Sequence, residues 1–161
     1  MEWHCSFEKN NFMYTGLLHL HSFLRWAGLL LMLITIFDSL ARVYRPFLSN
    51  ERKLSLITMI ILHTQLLIGI ALYFVSPLIA NAIESGNIMK DPVNRFYMVE
   101  HFLGMVIAIA LVTIGHVKAK KQSESWAKHK LIFTYYTIAL ILILISIPWP
   151  FRMVGEGRGW F

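Results

Sequence analysis

Residues 14–41 read YTGLLHLHSFLRWAGLLLMLITIFDSLA, an apolar run that carries His19, His21 and Arg25 in its first half and Asp38 near its end. The run exceeds the ~20 residues that an α-helix needs to cross the hydrocarbon of a bilayer. It lacks the period-2 alternation of a barrel strand. Three similar runs follow, Leu54–Pro77, Phe96–Val117 and Leu131–Pro148. The expected fold is therefore all-α, a four-transmembrane-helix up-down-up-down bundle. Composition agrees: 57% of the 161 residues are apolar, 15% are charged, and the mean hydropathy is +0.57. That balance is too apolar for an ordinary soluble domain and makes the lipid bilayer the first expected partner.

The net charge of +6 does not signal a nucleic-acid partner, because the basic residues cluster in two connectors. Arg42, Arg45, Arg52 and Lys53 lie in the first, and Lys118, Lys120, Lys121, Lys128 and Lys130 lie in the third. The positive-inside rule puts these connectors in the cytoplasm. Both termini and the second connector, Ser76–Arg95, then face the periplasm of a cell inner membrane. Within that connector, Ile79–Ile83 reads equally as a short interfacial segment or a simple loop.

The chain divides into an N-terminal extension (1–12), the membrane domain (13–150) and an aromatic tail (151–161). The first twelve residues lack the basic and apolar regions of a cleaved signal. They are expected to be poorly ordered, and Met13 is an alternative start to Met1. The single cysteine, Cys5, rules out an intramolecular disulfide and any CxxC motif. No Walker loop, GxGxxG, HExxH or GxSxG occurs, so the common soluble-enzyme chemistries have no support.

Ionisable groups at membrane depth are costly and usually face the bundle interior, where they mark a functional site. His21 and Arg25 are four apart and share one helix face. His19 points the opposite way, so His21 is the expected interior residue and His19 the interfacial one. At ~1.5 Å per residue, His21 lies about 10 Å below Tyr14 and His101 about 9 Å below Arg95. Opposed imidazoles at one level of a bundle suit the axial positions of a b-type haem. Arg25 would then meet a propionate and Glu100 would accept a ring N–H.

Two other readings fit the same residues. His21, Arg25, Glu100 and His101 can form a structural network with an Arg25–Glu100 ion pair, or a relay for protons or a metal ion. His63, about 20 Å from the outer end, fits a second haem, a proton path or a hydrogen bond to a carbonyl. His116 returns to within about 60° of the face of His101, roughly 22 Å further in. It therefore reads either as a partner on one helix for a second haem or as an interfacial residue. His129 reads as interfacial. Trp126, Trp149 and Trp160 read as belt residues, and Asp38 as a partner for Arg42 four residues on. Pro148-Trp149-Pro150 ends the last helix.

The strings MYTGLLHLHSFLRW (13–26), FYMVEHFLGM (96–105), IGHVKAK (114–120), AKHK (127–130) and IPWP (147–150) resemble a family of small four-helix, cytochrome-b-like inner-membrane proteins of Bacteroidota. The resemblance spans about Met13 to Pro150. It implies haem b held by span histidines, His21 and His101 first and then His63 and His116. Electron transfer, with quinol as a candidate partner, is the function so implied. The alternatives are a non-catalytic subunit or assembly factor of a larger complex, and a bundle that conducts protons or a metal ion.

Overall fold

A computed structural model describes residues 2–156, with side chains from residue 13 onward. Its helices are α1 (Glu2–Ala41), α2 (Ser49–Val75), α3 (Pro77–Glu84), α4 (Pro92–Arg95), α5 (His101–Lys121) and α6 (Ser125–Ser146). A π-helical turn, Phe96–Glu100, joins α4 to α5, so that Pro92–Lys121 forms one span. Among the described residues there is no strand.

Four helices are long and apolar enough to cross a membrane: Met13–Ala41, Ser49–Val75, Pro92–Lys121 and Ser125–Ser146. Their outward faces are apolar too. Phe74 is 80% exposed, Leu67 66% and Phe23 65%. Water would not tolerate that much apolar surface, whereas lipid does. The chain is thus a multi-pass membrane protein with an up-down-up-down bundle.

The starts of three spans differ from the sequence reading. Helices α2 and α6 start earlier, at Ser49 and Ser125, because their polar first turns continue the helix beyond the hydrocarbon. The third span starts at Pro92, which has no N–H to leave unpaired in a first turn. Asp91 caps it by accepting from the Val93 and Asn94 amides at 2.8 and 2.9 Å. The segment 79–83 is helical, within α3. Helix α1 begins at Glu2 and runs on through Met13. The side chains of residues 2–12, Cys5 among them, and all of residues 157–161, including Trp160, lie outside the described residues.

Helix α1 packs on α2 and α6, and α5 packs on α6 and α2. Helices α1 and α5 are therefore diagonal. Leu29, Met32, Ile36, Val112, Ile132, Tyr136 and Ile143 form the centre of the core. Polar bridges tie helix to helix through it, as expected where the hydrophobic effect gives no drive for association. Thr35 and Thr58 hydroxyls meet at 2.8 Å between α1 and α2. The Tyr136 hydroxyl donates to the Ser55 carbonyl at 2.8 Å, from α6 to α2.

The two ends of the bundle close differently. At the basic end, Arg42 pairs with Asp38 at 2.7 Å and with Glu51 at 3.1 Å. Glu51 also accepts the Leu48 amide at 2.6 Å. At the other end, Pro148 and Pro150 lack the amides that the Leu144 and Ser146 carbonyls would otherwise receive in a continuing helix. Trp149 Nε1 donates to Leu144 O at 2.9 Å instead. Arg152 Nη1 serves Ile145 O at 2.6 Å. The described part of the tail folds back, and Tyr97 donates its hydroxyl to Val154 O at 3.0 Å.

Candidate functional site

A cavity of about 320 Å³ lies at the end of the bundle away from the basic connectors, between all four long helices. His21 and Arg25 reach it from α1, Gln65 and Gly69 from α2, and Tyr97 and His101 from the third span. Most of the remaining wall is apolar, with Leu29, Leu66, Ile109 and Ile143 among its residues. This is the common make-up of a ligand site, a greasy pocket with a few placed polar groups, and the volume falls in the usual range of roughly 300–1,000 Å³.

His101 is held by the helix terminator. Its Nδ1 lies 2.7 Å from Ser146 O. A carbonyl only accepts, so Nδ1 carries the proton and Nε2 keeps its lone pair. The Ser146 carbonyl is available because Pro150 offers it no amide. The close approach of α5 and α6 depends on Gly104, where an added Cβ would overlap the Ser146 hydroxyl. Phe96 and Tyr97 flank the imidazole, with ring centroids at 6.0 and 6.4 Å.

His21 faces the same cavity from the diagonal helix. His19 is exposed, as the two-residue offset requires. The His21 ring rests on Gly69, where a Cβ would come 3.1 Å from Cε1. The His21 carbonyl accepts from Gln65 Nε2 at 2.8 Å, which fixes this turn of α1 on α2. His21 Nδ1 is buried and has no hydrogen-bond partner among the described residues. Buried polar atoms are seldom left so, and an orphaned ring nitrogen beside a cavity marks a partner that the protein itself does not supply. Arg25 lies 5.4 Å from the Trp26 ring and near Tyr97.

Glu100 departs from the sequence reading. It neither pairs with Arg25 nor accepts from a histidine; it is exposed and binds Arg95 Nε at 2.8 Å. Neighbouring helical residues point about 100° apart, so with His101 turned inward Glu100 turns out. The π turn then brings Arg95, five residues back, alongside it. The acceptor role belongs to Ser146.

His63 and His116 do not join this cavity. His63 Nδ1 donates to Met59 O at 2.8 Å, and Nε2 lies 3.4 Å from the Thr113 hydroxyl. The first of these is the carbonyl bond foreseen as one of three alternatives. His116 lies at the basic end with its Nδ1 3.1 Å from the buried Ser55 hydroxyl. His129, near the start of α6 at the basic end, is fully buried, edge-on to Phe47 with centroids 4.9 Å apart. The first connector folds over it, anchored by the Phe47 amide on Ser125 Oγ at 3.0 Å. That long-range contact leaves no local signal in the sequence. Trp149 is less a belt residue than a cap, packed 6.2 Å from Trp26. Among the described residues, no three His, Cys, Asp or Glu side chains gather as a metal site.

No protein-family model matches this chain, and neither a curated protein nor a solved structure is similar to it.

Proposed function

We propose that the cavity between His21 and His101 holds one b-type haem and that the chain is a membrane electron carrier. The observation that carries this reading is the pair of imidazoles on diagonal helices at one cavity, with His101 Nε2 left free by the Nδ1–H bond to Ser146. The donor set fits the group: His21 and His101 would supply imidazole nitrogens to its iron, Arg25 a cation for a propionate, and the apolar walls a surface for the macrocycle.

When bound, haem supplies reversible one-electron chemistry. The chain's own residues do the rest. The Ser146 carbonyl fixes the tautomer and plane of His101 and raises its basicity. Gly69 admits the His21 ring against α2, and Gln65 holds that turn of α1 in place. Arg25 supplies positive charge to the polar edge of the pocket. Leu29, Leu66, Ile109 and Ile143 keep water away. The electron partner in this reading is a quinone or another membrane subunit. The inner membrane, with the basic connectors in the cytoplasm and both termini outside, is the location that the charge distribution supports.

Absorbance of purified variants tests the proposal. His21→Ala and His101→Ala should each abolish low-spin b-type Soret and α bands, while His19→Ala and His129→Ala keep them. Bands that survive in both His21→Ala and His101→Ala overturn it.

A further inference from the structure

A second cavity, of about 260 Å³, lies at the basic end of the bundle, where α2 and α6 begin and α5 ends. Arg52, Lys120 and Lys128 converge on it from three different helices, over a floor of His116 and Ser55. No carboxylate lines it. Among the described residues none of the three cations makes a salt bridge, whereas Asp38 and Glu51 at this end both bind Arg42. Lys128 does lie over the Phe47 ring, at 5.7 Å. Like charges drawn to one hollow repel each other unless an anion joins them. The remaining wall is apolar, from Phe47, Leu48, Ala119 and Ile132.

We propose that this cavity binds the phosphodiester of an anionic phospholipid. Three arguments favour a phosphate group held on a lipid. A guanidinium and two ammonium groups match the several oxygens of a phosphate better than a single carboxylate. Ser49 brings a hydroxyl to the same hollow. The cavity also lies at the ends of three membrane-spanning helices, the level at which basic pockets take up lipid headgroups. The site is at the opposite end from His21 and His101 and does not depend on the haem reading.

Native mass spectrometry of the detergent-solubilised full chain tests this with phosphatidylglycerol, phosphatidylcholine and inorganic phosphate as separate probes. Phosphatidylglycerol should be retained over phosphatidylcholine. The triple variant R52Q/K120Q/K128Q should weaken its retention by about fivefold for each cation removed. A control, K53Q/K121Q/K130Q, takes the same charge from the same end but outside the cavity and should retain the lipid. Equal loss in both triples would reduce the effect to general surface charge and overturn the proposal. Retention of inorganic phosphate without preference for phosphatidylglycerol would overturn the lipid as the source. If the triple variant fails to fold, R52Q and K128Q are read singly against K53Q, and no difference among them overturns the site.

Discussion

His101 donates its Nδ1 proton to the carbonyl of Ser146, 45 positions away and 2.7 Å distant. One bond thus joins the end of α6 to the start of α5 and sets which imidazole nitrogen carries the proton. It requires three sequence features together: a histidine at 101, a proline at 150 that leaves the carbonyl without its helical donor, and a glycine at 104 that lets the helices close.

Gly104→Ala tests that closure. The new methyl overlaps the Ser146 hydroxyl, and overpacking of this kind costs about 1–3 kcal/mol. Thermal melting in detergent should fall accordingly. Adding Ser146→Gly removes the hydroxyl while keeping the carbonyl, and should recover part of the loss as a coupling of roughly 0.5–3 kcal/mol. Strict additivity of the two changes would show that the helices do not meet there.

Glu100→Gln should be nearly silent. Its ion pair with Arg95 leaves both side chains more than 40% exposed, at 42% and 48%. Such pairs are worth about 0–1 kcal/mol. A large drop in melting temperature would mean that Glu100 turns inward after all, as a partner for Arg25.

Gly69 gives a graded test of the His21 seat. In Gly69→Ala, the Cβ at 3.1 Å from the ring asks for a small shift, offset by about 0.5–1 kcal/mol of helix preference for alanine over glycine. Stability should therefore change little. Gly69→Leu has no such room and should cost about 1–3 kcal/mol, together with any absorbance that depends on His21. Equal behaviour of the two variants would place the ring elsewhere.

The four spans were legible because lipid selects long apolar runs, and His21 and His101 because a fixed rise per residue turns sequence position into depth. The polar first turns of α2 and α6 were not legible by that criterion, since hydropathy ends where the hydrocarbon ends and the helix does not. Glu100 was misplaced because proximity in sequence to His101 is not proximity in space on a helix, and the π turn that seats Arg95 beside it has no simple sequence mark. The acceptor for His101 was partly legible: Pro148 and Pro150 announce two orphaned carbonyls, at Leu144 and Ser146, and each must find a donor. The burial of His129 was not, because the Phe47–Ser125 contact that covers it spans 78 positions.

Orientation rests on charge. With Arg42, Arg45, Arg52 and Lys53 in one connector and Lys118, Lys120, Lys121, Lys128 and Lys130 at the other, a reporter fused after Phe161 should report the periplasm. A cytoplasmic signal would reverse the topology and move the His21–His101 cavity to the inner half of the membrane.

The reduced-minus-oxidised absorbance spectrum of the purified wild-type chain, produced with ample haem and read with the haem content per chain, tests the central claim most directly. The account predicts a low-spin b-type α band and about one haem per chain, since among the described residues only His21 and His101 share a cavity while His63 and His116 are engaged elsewhere. Purified, folded protein with no haem absorbance would contradict it.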